Sequence, residues 1–241
     1  WFWWYGDDFS SAYDTEFDRL FRANLIEVYR LLGEEPPAAL FEPIQNVGAA
    51  RPTEQPAGLL KPDIDGLVTH YYEWIAAGCF DVARSGGAMN VSETLISRVF
   101  WGFDLERLFF RLDTSTPPRG AEVGDITVSL HVEVPARARR LRVDLPLPRD
   151  ERQKESITMF AAGDGETWRP VEPAASAACA AIGRIIEISL GLSPAGLAEG
   201  DLVHFHVSVL RGRIELERWP RSGYLELSVP GRDYEATMWM A

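Results

Sequence analysis

Ile126-Thr-Val-Ser-Leu-His-Val-Glu-Val134 alternates apolar and polar side chains without a break. A period of two is the period of a β-strand, so Ile126, Val128, Leu130, Val132 and Val134 share one face, built for burial. Downstream, Leu141, Val143 and Leu145 repeat the pattern, and Val203, Phe205, Val207 and Val209 repeat it again. Asp164 and Gly165 supply a turn between strands expected at Ile157 to Ala161 and Thr167 to Val171. Further strands are expected at Ile182 to Leu190, Arg213 to Arg218 and Tyr224 to Val229, with Met238 and Trp239 closing the chain. Ser193 and Pro194 form a cap and first-turn proline for a short helix before Leu197, and Gly200 and Asp201 turn the chain into the next strand.

Upstream, Leu95 to Trp101 alternates, Gly102-Phe103-Asp104 makes a turn, and Leu108, Phe110 and Leu112 form the returning strand of a hairpin. Thr69 to Ile75 reads as one more strand. Many short strands, closely spaced turns and no alternating helices predict a mainly β chain folded as an antiparallel β-sandwich. Residues 45–66 are rich in proline and glycine and poor in large apolar groups, which marks a linker. Three units follow: a helical segment over 1–44, the linker over 45–66, and the sandwich over 67–241.

Before the linker the period is 3.6. Phe17, Leu20, Phe21, Leu25, Val28, Tyr29 and Leu32 recur at three- and four-residue spacing, opposite Glu16, Arg19, Arg22, Glu27 and Arg30. This predicts an amphipathic helix starting near Asp14, with Gly33 past its end and Pro36 and Pro37 preventing continuation. A second short helix is expected from Pro37 to Phe41.

Ahead of that helix stands WFWWYGDD, residues 1–8, an aromatic run followed by a glycine and two carboxylates. Such rings end in a core or at a recognition surface, whereas a free terminus is ordinarily polar. With no initiator Met, residue 1 reads as a cut inside a larger protein. WFWWYGDD, the helix FDRLFRANLIEVYRLLG from Phe17 to Gly33, and PPAALFEPI from Pro36 to Ile44 resemble the segment after the catalytic barrel in glycoside hydrolase family 57. The amylopullulanase and α-amylase types are the nearest in kind. The resemblance extends more loosely through HYYEWIAAGCFD, GGAM and FWGFDLERLFFRLD, ending at Asp113.

That resemblance implies a retaining enzyme acting on α-glucans, whose Glu nucleophile and Asp general acid precede Trp1. No catalytic residue is therefore expected here, and the isolated chain is expected to be inactive. The family places a Trp of this segment in the glucan cleft, which the shared WWYG aligns with Trp4. Trp3, Asp7 and Asp8 are its expected supports, and the catalytic barrel and an α-glucan its partners. The other reading is that these rings seal the helical segment against the barrel.

The formal charge of -12 argues against nucleic acid and anionic lipid, which need Lys and Arg. No apolar run of membrane-spanning length exists. Cys79 and Cys179 do not make a disulfide framework and are read as small buried thiols in a reducing, cytoplasmic compartment.

Candidate chemistry is sparse. His204 and His206 sit two apart on one strand face, a spacing that suits zinc, but no third ligand lies nearby and a solvated outer face is the simpler reading. His70 and His131 are single histidines on expected strands. Asp104, Asp113 and Glu166 lie near turns without a visible carboxylate pair. RSGGAM and AGDGE match no phosphate loop, and no Gly-x-Ser-x-Gly elbow appears. No cofactor or metal is expected. Trp168, Trp219 and Tyr224 suit a sugar platform if the sandwich exposes them, which would make it an autonomous glycan-binding module, but packing in the core or a loop is the simpler reading of each. Strand, short helix and strand near Ser193 are similar to carbohydrate-binding sandwiches attached to glycosidases. A purely structural domain is the third reading.

Overall fold

Two antiparallel sheets pack face to face in the computed structural model, which describes residues 14–41, 54–82, 94–120, 122–150, 156–162, 167–171 and 177–234. The five-stranded sheet runs in the order β1 (Gly78–Asp81), β2 (Ile96–Phe103), β3 (Arg107–Thr114), β9 (Ile186–Gly191) and β8 (Ala178–Ile182). The seven-stranded sheet runs β11 (Ile214–Trp219), β10 (Leu202–Arg211), β4 (Ile126–Val134), β5 (Arg139–Pro146), β6 (Thr158–Ala162) and β7 (Trp168–Val171). Its seventh strand, β12 (Leu225–Ser228), also pairs with β10. This is the expected antiparallel β-sandwich.

Alternation explains the core. Val128, Leu130 and Val132 from β4, Val143 and Leu145 from β5, and Val203, Phe205 and Val207 from β10 face Val99, Trp101, Phe110 and Ile188 of the other sheet. Trp101 and Phe110 meet the ring of Phe205 edge-on at 5.5 and 5.1 Å. Fully burying such side chains contributes about 1.5–3 kcal/mol each. The two sheets are also joined by hydrogen bonds: Glu217 on β11 accepts from the backbone N–H groups of Leu95 and Ile96 at the start of β2.

Helix α1 spans Asp14–Leu32 and ends at Gly33, whose φ of 73° suits glycine. A short 3-10 helix, Ala38–Phe41, takes the place of the second helix expected from Pro37. It packs against α1, with Arg22 donating to the Leu40 carbonyl. The apolar stripe of α1 stays largely open, since Leu20, Phe21, Val28, Leu31 and Leu32 are all exposed.

Two expected strands differ. Thr69 to Ile75 is a series of turns, because side chains there capture the backbone donors a strand would use. Glu73 accepts from the N–H groups of Asp63 and Thr69, and Ile75 and Ala77 donate to carbonyls three residues back. Ile182 to Leu190 is interrupted rather than continuous. Gly183 lies against Gly66, and Arg184 and Ile185 both donate to the Gly66 carbonyl, so the chain reverses between β8 and β9.

Within the stretch read as linker, residues from Glu54 on are laid on the outer side of the five-stranded sheet. Glu54 bridges to Cys79, Ala57 donates to the Ala76 carbonyl, and Leu60 is buried with its N–H on the Phe103 carbonyl. Together with residues 67–77 they form a strap. Leu60, Trp74, Ala77 and Phe109 make a second apolar cluster beneath it. Both cysteines are free and half-buried on this side of the fold.

Candidate functional site

The inward set Val203, Phe205, Val207 and Val209 on β10 leaves His204, His206 and Ser208 on the opposite, outer face of the seven-stranded sheet. Register then decides what stands beside them. His206 is opposite His131 on β4, His131 is opposite Arg142 on β5, and Arg142 is opposite Phe160 on β6. Trp168 joins from β7, opposite Ala162. Neighbouring strands in a sheet stand about 5 Å apart, so flat side chains in one such row touch.

The rings of His131 and His206 lie parallel, with centroids 4.3 Å apart. Trp168 meets the His131 ring edge-on at 6.1 Å. The Arg142 guanidinium sits 4.4 Å from the Phe160 centroid and 5.2 Å from that of Trp168, a stacked cation that Asp144 holds at 3.0 Å. Ser129, buried beneath, donates to Asp144 at 2.7 Å. At the other end of β10, His204 stacks on Tyr224 with centroids 3.6 Å apart and its Nε2 lies 3.4 Å from the Glu226 carboxylate. Arg218 on β11 is tied down by the carbonyls of Pro220 and Gly223.

Electrostatics keeps the two imidazoles of this row uncharged beside the Arg142 cation. Burial first, then the charge of Arg142, lowers the His131 pKa to about 4. Burial, followed by Arg218 and His131, lowers that of His206 to about 3. At neutral pH each imidazole thus carries one N–H donor and one bare nitrogen acceptor. The outer face is a strip of half-buried rings flanked by Arg142, Asp144, Arg218 and Glu226. Such a surface offers uncharged imidazole nitrogens and flanking charged groups to the hydroxyls of a neutral polyhydroxy ligand.

Of the sequence candidates, Trp168 and Tyr224 lie on this face, whereas Trp219 is buried on the inner side with its indole N–H on Glu217. His204 and His206 share the face as their spacing predicts, each stacked on another ring. Among the described residues no group of three or more His, Cys, Asp or Glu is placed to hold a metal. His70 is exposed on the strap rather than on a strand. Asp104 caps its own turn through the N–H groups of Glu106 and Arg107. Glu166, Trp3, Trp4, Asp7 and Asp8 lie outside the described residues.

His131, Arg142 and Phe160 were not singled out as site residues by sequence reasoning. The signal was their odd position in otherwise apolar alternation, but only the register of four strands shows that they form one row. A separate open groove of about 490 Å3 is lined by Asp81, Ser97, Arg98, Asp113 and Thr114 among others. Arg111 grips Asp113 at 2.8 and 3.2 Å and Arg98 lies 3.8 Å from Asp81, so guanidinium groups hold both carboxylates. That pairing does not suit proton transfer by two carboxyl groups.

Compared with models of known families, with curated proteins and with solved structures, the chain has no match.

Proposed function

We propose that this chain is the non-catalytic portion of an α-glucan-active, family 57-like glycoside hydrolase, and that its sandwich holds glucan on the outer face of the seven-stranded sheet. The observation that carries the proposal is the continuous row Trp168, Arg142, His131 and His206, a half-buried strip in which both imidazoles are uncharged. Pyranose rings offer apolar C–H faces to such a strip, and the absence of net charge in a glucan matches imidazoles held unprotonated. The WFWWYGDD resemblance supplies the enzyme class. On the same reading Trp4, with Trp3, Asp7 and Asp8, lines the cleft of the catalytic barrel, whose Glu and Asp perform the hydrolysis.

Retardation of the purified chain in native gels containing amylopectin or pullulan, against a gel with no polysaccharide, tests the binding claim. Retardation that disappears in Trp168→Ala, with an unchanged thermal melt, is the expected result. Equal mobility in all gels would remove the sandwich face from glucan binding. Starch hydrolysis by the chain alone, at rates near those of a complete enzyme, would sink the non-catalytic assignment.

A purely structural role is the second reading, and the open apolar stripe of α1 favours it. Leu20, Phe21, Val28, Leu31 and Leu32 on one helix suit packing against another protein body. The two roles are compatible, since a helix that docks and a sheet that binds sugar occupy different parts of the chain.

A further inference from the structure

On the five-stranded side, the strap presents Tyr71 and Tyr72 to solvent at 79% and 72% exposure. Their rings are 5.3 Å apart and nearly perpendicular, at 85°. Two large rings this open, side by side, are unusual for a surface turn, because Tyr ordinarily buries its ring and keeps only the hydroxyl wet. We infer that Tyr71 and Tyr72 form a second α-glucan contact, on the face of the sandwich opposite the histidine row. The choice of ligand rests on the glucan reading proposed above.

Three observations carry the inference. The first is the mount. Glu73, directly after the pair, is buried and accepts from Asp63 and Thr69, and the next residue, Trp74, donates its indole N–H to buried Glu187 at 3.2 Å. Glu187 also takes the N–H groups of Asp65 and Gly66, so the strap is fixed at both ends by carboxylates that water does not reach. A turn whose backbone is anchored in advance loses little backbone entropy when a ligand settles on it.

The second is ring geometry. Successive glucose units of an α-linked chain turn relative to one another, so their apolar faces are presented at an angle. Perpendicular rings match that curvature, whereas a flat β-linked chain would need rings in one plane. The third is the surround. Leu67, Val68 and Ile75 are also exposed on the strap, as is His70, while the Thr69 hydroxyl donates to Asp65 at 3.1 Å. A stable protein interface needs about 800 Å2 per partner and about 20–30 residues, more than this short strap offers. The net charge of -12 also opposes docking of a second copy.

Calorimetry of the whole chain with β-cyclodextrin, a closed ring of α-linked glucose, provides the test, together with native gels in amylopectin. Wild type is expected to bind two cyclodextrins, and Tyr71→Ala/Tyr72→Ala and Trp168→Ala one each. Amylopectin retardation should weaken by about a hundredfold in either variant, because a polymer held at two points gains that much from linkage. Tyr71→Phe/Tyr72→Phe, which keeps both ring faces, should retain two sites. Thermal melts confirm that the variants fold, as both side chains are exposed.

Unchanged stoichiometry and retardation in Tyr71→Ala/Tyr72→Ala would overturn the inference while leaving the histidine face intact. Loss of self-association in sedimentation, with glucan binding unaltered, would also overturn it by assigning the strap to a protein contact. No cyclodextrin bound by wild type would overturn both sites together.

Discussion

His131 and His206 stack ring on ring, their planes only 8° from parallel, although they stand more than seventy positions apart in the chain. Two imidazoles at that separation are compatible only while at least one is neutral, and burial makes both so. The folded-state values of about 4 and about 3 lie below the unfolded value of 6.5. Between those limits the unfolded chain binds more protons than the folded one, so stability rises with pH and is fully present above 6.5. Urea melts are therefore expected to show falling stability from pH 6.5 towards pH 4. His131→Phe should flatten that slope; an unchanged slope would mean that the pair does not govern it.

Glu187 works in the opposite direction. Burial, only partly offset by the N–H groups of Gly66 and Asp65, raises its pKa above the usual carboxylate value. Its contribution is largest at low pH and is lost as pH rises through the raised value, which partly offsets the histidines on the acid side. Glu187→Ala leaves three donors in the strap without an acceptor and should cost about 3 kcal/mol. Amide hydrogen exchange over Asp65 to Ala77 should then accelerate more than exchange in the core strands. Uniform acceleration would mean that the strap and core open together.

Gly66 and Gly183 form the closest backbone approach between strap and sheet. A Cβ on Gly66 would meet the Gly183 nitrogen at 2.5 Å, and one on Gly183 would meet the Gly66 carbonyl oxygen at 2.4 Å. Gly66 also has φ of 80°, where an L side chain costs roughly 1–2 kcal/mol. Gly66→Ala should therefore destabilise more than Gly183→Ala, as read by thermal melts. Gly200→Ala, at the same φ but in open space, should show the backbone cost alone.

Arg142 offers a test of stacking apart from charge. Arg142→Lys keeps a cation beside Asp144 but removes the plane that covers Phe160 and Trp168. Native gels with amylopectin should show retardation weakened several-fold, with stability lowered by about 1 kcal/mol. Retention of full glucan binding would leave Trp168 and the histidines as the contact and remove Arg142 from it.

The strands were legible wherever one face is buried, as at Val128, Leu130 and Val132, because alternation reports burial directly. Turns were less legible. Glu73 and Trp74 look like parts of a strand in sequence, yet their polar atoms are committed to partners as distant as Glu187, a contact no local pattern announces. The short strands β1 and β8 escaped notice because Gly78, Cys79, Ala178 and Ala180 give weak alternation. The candidate face was half legible. Spacing put His204 and His206 on one side, but the arrival of His131 and Arg142 depends on register across β4, β5 and β10. Aromatic content alone did not separate outward Trp168 from inward Trp219.

Glu217 points inward from β11, an edge strand, and commits its carboxylate to the N–H groups of Leu95 and Ile96, where the chain enters β2 of the facing sheet. An inward charge makes an edge a poor template for adding another strand, since the newcomer would have to accommodate that carboxylate. A concentrated solution of the chain brings many sheet edges close together. The clamp that joins the two sheets thus also guards against strand-by-strand aggregation when copies crowd one another.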